Sequence, residues 1–223
     1  MRVTALVAAR NEEGRVGETV EALRSIELLS EVAVVDGGST DGTVAEAAAA
    51  GARVVAARAR MGKGDALEGA LVHVPAADVY LLADADLGSS AASLGALLEP
   101  VVTGRADMAV AVLPDPPTGG FGLVKGAARR AVHRVAGHEP REPLSGQRAL
   151  TAGCLRACRP LASGFGLEVG LWMDAIRMGF EVAEIPVALE HRFTRKDIAG
   201  FRHRGRQGWD AARATIPRAL GMR

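Results

Sequence analysis

The sequence predicts an α/β protein with a doubly wound, mostly parallel sheet flanked by helices. Three observations predict it. Short apolar runs alternate with helical patterns as far as Val112, which is the β-α-β rhythm of a parallel sheet. Those runs end in polar, carboxylate-bearing loops, and ligands on such sheets bind at the carboxyl ends of the strands. One run, Val79-Tyr80-Leu81-Leu82-Ala83, passes directly into Asp84-Ala85-Asp86. It reads as a strand buried on both faces.

In chain order, the strand candidates are Val3–Ala8, Val32–Asp36, Arg53–Ala57, Val79–Ala83 and Met108–Val112. Helical patterns lie between them at Arg15–Ser25, Thr43–Ala50, Lys63–Val74 and Ser90–Thr103. Leu113 to Gly122 holds three prolines and the pair Gly119-Gly120, so it reads as a loop. A basic helix follows at Leu123–Ala136, then a short segment Ser145–Ala149, a helix near Glu168–Met178 and a strand Glu181–Val187. No repeat, low-complexity linker or domain boundary interrupts this order, so a single domain over 1–223 is expected.

The chain has 223 residues, 48% of them hydrophobic, which is enough for one substantial core. Its net charge of +1 gives no reason to expect a nucleic-acid partner. The charge is unevenly placed. From His191 to Arg223 there are nine Lys/Arg and two Asp/Glu, net +7, leaving net −6 for the preceding residues. That tail suits an anionic acceptor or an acidic membrane surface, or else a solvated amphipathic helix. Cys154 and Cys158 stand four apart without a metal-ligand pattern and read as small core residues. The opening strand-like run carries no signal-peptide pattern, and no apolar stretch approaches membrane-spanning length. A cytoplasmic protein is expected, with peripheral contact at the inner membrane face an open alternative.

Four loops carry chemistry. Asp84 and Asp86, two apart in extended backbone, point the same way. Two like charges in a crevice call for a cation, and a divalent metal carrying phosphate oxygens is the candidate. The plainer alternative is a strand end that caps the next helix. Strand one ends in Ala8-Ala9-Arg10-Asn11-Glu12-Glu13, polar groups placed to hydrogen-bond a ligand or simply to open a helix. Strand two ends in Asp36-Gly37-Gly38-Ser39-Thr40-Asp41-Gly42-Thr43. There Asp36 can accept from a base or ribose, or the run can cap the next helix. Lys63, between Gly62 and Gly64 at a helix start, is a plausible diphosphate contact, although the Walker spacing is absent.

In this order the four pieces resemble the family-2 glycosyltransferases of the GT-A fold, a Rossmann-like architecture. The group it resembles contains glucosyl-3-phosphoglycerate synthase and the polyprenol-phosphate sugar synthases. The family usually carries Asp-Asp-Gly in the second motif; here Val35 stands first and Asp36 takes the second position. Gly164-Phe165-Gly166-Leu167-Glu168-Val169-Gly170, Glu184-Ile185-Pro186-Val187 and His191-Arg192 extend the resemblance through the second half.

The resemblance implies a metal-dependent, inverting transfer of a sugar from a UDP- or GDP-sugar to an anionic, phosphorylated acceptor. Residues 1–112 would form the nucleotide-sugar half, 113–190 the acceptor side and 191–223 the basic tail. Ala8, Arg10, Asn11, Glu12, Asp36, Gly37, Lys63, Asp84 and Ala85 would line the donor. Asp84, Asp86 and His191 would hold Mg2+ or Mn2+, and imidazole favours the latter. Glu168 is either a first-turn acid suited to the helix dipole or a general base facing the acceptor. Gly119, Gly120, Lys125, Arg148 and Arg192 suit the acceptor; a homodimer is compatible. Rival readings are phosphoryl or nucleotidyl transfer on the Asp-x-Asp metal and a non-catalytic nucleotide-sugar-binding module. Against phosphoryl transfer, Gly88 stands where Thr or Val is expected.

Overall fold

A computed structural model describes residues 1–57, 62–112, 122–137, 139–163 and 166–189. Gly119, Gly120, His191, Arg192 and the basic tail lie outside them. The strands are β1 (Val3–Ala9), β2 (Glu31–Asp36), β3 (Arg53–Ala56), β4 (Val79–Asp84), β5 (Met108–Val112), β6 (Arg148–Thr151) and β7 (Val182–Pro186). The helices are α1 (Val16–Arg24), α2 (Thr43–Ala49), α3 (Lys63–Ala70), α4 (Gly95–Val102), α5 (Gly122–Ala136), α6 (Ala152–Ala157) and α7 (Leu167–Arg177).

The seven strands form one sheet in the order β3-β2-β1-β4-β6-β5-β7. β1 pairs in parallel with both β2 and β4, and β2 with β3. The chain therefore builds outward from β1 on one side and then returns to its other side. This reversal opens a crevice beyond the carboxyl ends of β1 and β4, the place where open α/β sheets bind ligands.

Both faces of the sheet are covered, as the apolar runs predict. Along β4, Tyr80 and Leu82 join the core beneath α3, α5, α6 and α7. Val79, Leu81 and Ala83 join the opposite core beneath α1 and α4. Successive strand residues face opposite ways, so a strand covered on both sides has no polar positions to spare. α1 shows the helical counterpart: Val16, Val20 and Leu23 form one stripe and are all inaccessible to solvent. Each such side chain contributes about 1.5–3 kcal/mol by leaving water.

The structure corrects the sequence reading between β4 and β5. The short segment 145–149 opens β6 at its end, and β6 inserts between those strands antiparallel to both. β4 thus lies in a mixed, not a wholly parallel, environment. The patterns at 63–74 and 90–103 also shorten. The first ends as α3 at Ala70. The second divides into a tight 3-10 stretch, Gly88–Leu94, and α4. The division preserves burial, since Ala91 and Leu94 face inward at three-residue spacing and Leu97, Leu98 and Val101 continue at helical spacing. Cys154 and Cys158 are buried free thiols, as read.

Candidate active site

The loops after β1, β2 and β4, the turn before β6, and the first turns of α3 and α7 meet at the carboxyl end of the sheet. Its centre is a row of three charges. Lys63 Nζ lies 2.5 Å from Asp84 Oδ1 and 3.6 Å from Glu168 Oε1. Lys63 and Glu168 each stand at the start of a helix, and Asp84 ends β4. The row therefore follows from where three elements begin or stop. Burial works against the Lys63 ammonium, but Asp84 and Glu168 together outweigh it and raise its pKa, so it is charged. Burial raises the Glu168 carboxyl above the ordinary glutamate range, and Lys63 and Arg148 only partly offset that.

A second group of acids flanks the row. Burial raises the Glu12 carboxyl, and the charge of Asp86 adds to the shift; Arg15 opposes it, while Asp84 and Asp41 add further. Glu12 and both aspartates of the Asp-x-Asp therefore share one negative field. Carboxylates are hard oxygen donors that suit Mg2+ or Mn2+. Asp86, with Asp84, fits a metal in its donor chemistry. Among the described residues, however, no three acids, histidines or cysteines converge tightly enough to cage one. The candidate third ligand, His191, lies outside them.

The remaining residues expected to line the donor are held in different ways. Asn11 has a left-handed backbone, φ 57°, which asparagine tolerates better than most residues. Its side-chain oxygen accepts from the Thr40 N–H at 2.9 Å, and its own N–H donates to Ser39 Oγ at 3.0 Å, tying the first loop to the second. Asp36 is 93% buried, and its carboxylate accepts from the N–H groups of Gly38 and Ser39 and from Ser39 Oγ at 2.5 Å. The second motif thus stabilises its own loop. Gly37 donates to the Ala9 carbonyl at 2.9 Å, joining the ends of β1 and β2. Ala8 sits opposite Asp84 in the β1–β4 register. Arg10 is exposed beside this loop. Ala85 is buried, and its carbonyl accepts from Thr19 Oγ1 at 2.9 Å.

In the second half of the chain, Lys125 of α5 forms an ion pair with Glu142. Arg148 is fully buried: Nε donates to the Ser145 carbonyl at 2.9 Å and Nη2 to the Pro143 carbonyl at 3.1 Å. Burial pulls its pKa down to about 10, with Glu168 opposing, so it remains cationic at neutral pH. It lies inside the protein and does not open on the surface.

One residue in contact with the site escaped the sequence reading. Gln147, 1% exposed, donates from Nε2 to Asp84 Oδ2 at 2.6 Å and accepts the Asp84 N–H at 3.0 Å. Its neighbour Gly146 lies so close that an added Cβ would stand 2.8 Å from Lys63 Nζ. The available signal was the polar run Ser145-Gly146-Gln147-Arg148 feeding directly into apolar Ala149-Leu150, polar residues where burial was due.

Residues 4–148 match the family described as Glycosyl transferase family 2. Glycosyltransferase AglJ of Haloferax volcanii is 28% identical over 188 residues, covering 82% of this chain and 61% of AglJ. Glucosyl-3-phosphoglycerate synthase of Mycolicibacterium paratuberculosis is 30% identical over 217 residues, covering 85% of this chain and 65% of that protein. The chain thus spans less than two thirds of the length of either relative. Among solved structures, the Mycobacterium tuberculosis glucosyl-3-phosphoglycerate synthase with Mg2+ and UDP superposes with a TM-score of 0.84 at 25% identity, covering 100% of this chain and 80% of that one. The same enzyme with Mn2+, UDP-glucose and glycerol 3-phosphate gives 0.83 at 26% identity, covering 100% and 81%. Its complex with phosphoglyceric acid also gives 0.83 at 26%, with the same coverage.

Proposed function

Because the chain belongs to glycosyl transferase family 2, we propose that it moves a sugar from a nucleoside-diphosphate sugar to a small phosphorylated acid. The observation that carries this reading is the Lys63–Asp84–Glu168 row at the crevice between β1 and β4, beside the acids Glu12 and Asp86. The relatives named glucosyl-3-phosphoglycerate synthase supply the acceptor class, and the structure with UDP-glucose and Mn2+ supplies the first donor to try.

The chain's own residues divide the work. Asp86, with Asp84, would hold Mg2+ or Mn2+, which supplies charge stabilisation for the departing diphosphate. Lys63 adds a fixed positive charge to the same crevice, pinned between two carboxylates so that it needs no reorganisation. Glu168 would take a proton from an acceptor hydroxyl, a role supported by its position beside Lys63 and by burial that raises its carboxyl above the ordinary glutamate range. Loops one and two, joined through Asn11, Ser39 and Thr40, provide a pre-formed rim for the nucleoside. Among the described residues, no helix is long and apolar enough to cross a membrane.

A screen tests this directly. The protein is incubated with Mn2+ and UDP- or GDP-sugars against phosphoglycerate, glycerol 3-phosphate and polyprenyl phosphate, and products are read by mass spectrometry. The expected product is a glycosylated small phospho-acid. Transfer to polyprenyl phosphate alone would move the acceptor to a lipid and give the basic tail a membrane role. Inorganic phosphate released from a sugar phosphate without any nucleotide sugar would replace the reading with phosphoryl transfer.

A further inference from the structure

Resting on the glycosyl-transfer reading, we propose that Gln147 is the positioning residue that sets the orientation of the Asp84 carboxylate. Three observations converge on it. First, the amide meets Asp84 at two points, one on the carboxylate and one on the backbone. A single contact leaves a side chain free to swing, whereas two fix the residue as a unit. Second, the amide orientation is determined by its partners, since reversing it would face two oxygens at Asp84 Oδ2 and two donors at the Asp84 N–H. Third, Gln147 is itself immobilised. It is 1% exposed, and its carbonyl accepts the Ala111 N–H of β5 at 3.0 Å. The buried Arg148 guanidinium gathers the Ser145 and Pro143 carbonyls of the turn that delivers it.

The consequence is a division of the two Asp84 oxygens. Oδ2 takes the neutral amide and Oδ1 takes the Lys63 ammonium at 2.5 Å. A neutral donor orients the carboxylate without adding a second positive charge to the one Lys63 already brings. A second cation at position 147 would add that charge; a carboxylate would repel Asp84. Gly146 completes the arrangement, because a Cβ there would stand 3.0 Å from Asp84 Oδ2 and 2.8 Å from Lys63 Nζ. Antiparallel β6 has a functional reason to lie between β4 and β5: its entry delivers the amide to the end of β4.

The test compares Gln147→Leu, which removes the donor at similar volume, with Gln147→Glu, which keeps shape and adds a charge. Thermal melts establish that both variants fold. Initial rates are measured with UDP-glucose and phosphoglycerate over a range of Mn2+ concentrations. Gln147→Leu is expected to lower kcat/KM about 10–100-fold and to raise the Mn2+ needed for half-maximal rate, the scale typical of residues that orient a metal ligand. Gln147→Glu is expected to fall further, despite its better shape. In a double-mutant cycle on Mn2+·UDP affinity by calorimetry, adding Gln147→Leu to Asp84→Asn should cost nothing more, because Gln147 acts through Asp84. Full additivity, or a folded Gln147→Glu with wild-type rate and Mn2+ requirement, would overturn the positioning role alone. A wild-type protein that neither binds Mn2+·UDP nor turns over any nucleotide sugar would overturn the glycosyl-transfer reading and this proposal with it.

Discussion

The two ends of the sheet carry ion clusters built from the same ingredients in opposite proportion. At the carboxyl end, one ammonium, Lys63, lies between two carboxylates, Asp84 and Glu168. At the amino end, one carboxylate, Glu31, lies between two guanidinium groups, Arg2 and Arg53. At the amino end the arginine side chains are 44% and 49% exposed, so water shares their charge. Their hydrogen bonds outweigh the effect of burial on Glu31 and lower its pKa. At the carboxyl end Glu168 is 11% exposed, and its pKa is raised. One cluster satisfies its central charge. The other leaves a surplus of negative charge, and Glu12 and Asp86 add to it. An unrelieved surplus facing a crevice marks a site awaiting a cationic or protonated partner, whereas a relieved cluster on the rim marks stabilisation.

The largest expected effect tests the surplus itself. Asp86→Asn removes one negative charge from the acidic group without changing its shape. Sugar transfer should drop about 10³-fold, the loss of several kcal/mol of charge stabilisation, while the melting temperature holds. Excess chelator should reproduce the loss in wild type. Full turnover under either condition would dissolve the contrast, because the carboxyl end would then be only another ion cluster.

A smaller effect separates the roles within the row. Glu168→Gln should reduce kcat about 10²-fold if the acceptor offers a hydroxyl. A base must be deprotonated to act, so a raised pKa puts the acidic limb of the wild-type kcat profile above the ordinary glutamate range. The rate should rise with pH through that limb, and the limb should vanish in the variant. Proton NMR of the product gives an independent check. Inversion at the anomeric carbon agrees with direct attack by a hydroxyl that Glu168 has deprotonated. Retention with the same pH profile would remove Glu168 from the role of base.

The contrast also explains what the sequence could show. Asp84, Asp86, Lys63 and Glu12 were readable because each closes an apolar run or opens a helical pattern, so topology alone carries them to one crevice. Gln147 was not readable in that way. Its partner lies 63 positions away, and it stands just before a four-residue β6 that begins with a buried arginine. Nothing local announces a strand whose stability comes from neighbours on both sides. Asp36 adds another such point: its carboxylate accepts from Gly38 and Ser39 of its own loop, which a motif cannot reveal. Ends of elements are visible in sequence, whereas who pairs with a buried amide depends on the fold.

Gly64 connects the row to stability. It follows Lys63 in the first turn of α3, and a Cβ there would overlap the Ala162 carbonyl oxygen. Gly64→Ala must push the α3 terminus away from backbone that cannot yield, at about 1–3 kcal/mol. Lys63 would move with it. A lower melting temperature together with reduced turnover is the expected pair. Lost stability with unchanged kcat/KM would show that the ammonium tolerates displacement, and the carboxyl-end cluster would be less finely placed than the contrast requires.

The smallest effect belongs to the amino end. Glu31→Gln abolishes the charge that Arg2 and Arg53 share, but both arginines are about half exposed and remain hydrated. The stability loss should stay below about 1 kcal/mol and shrink further in high salt. Its pH dependence has a fixed sign. A carboxyl whose folded pKa is depressed stabilises the fold above the unfolded pKa and loses that contribution as pH falls through the folded one. Wild type and variant should therefore differ most near neutrality and converge in acid, below the ordinary glutamate range. Turnover of UDP-glucose should not change at any of these pH values. A fall in turnover comparable to that of Glu168→Gln would mean that the two ends of the sheet are coupled, and that the relieved cluster serves the site as well as the fold.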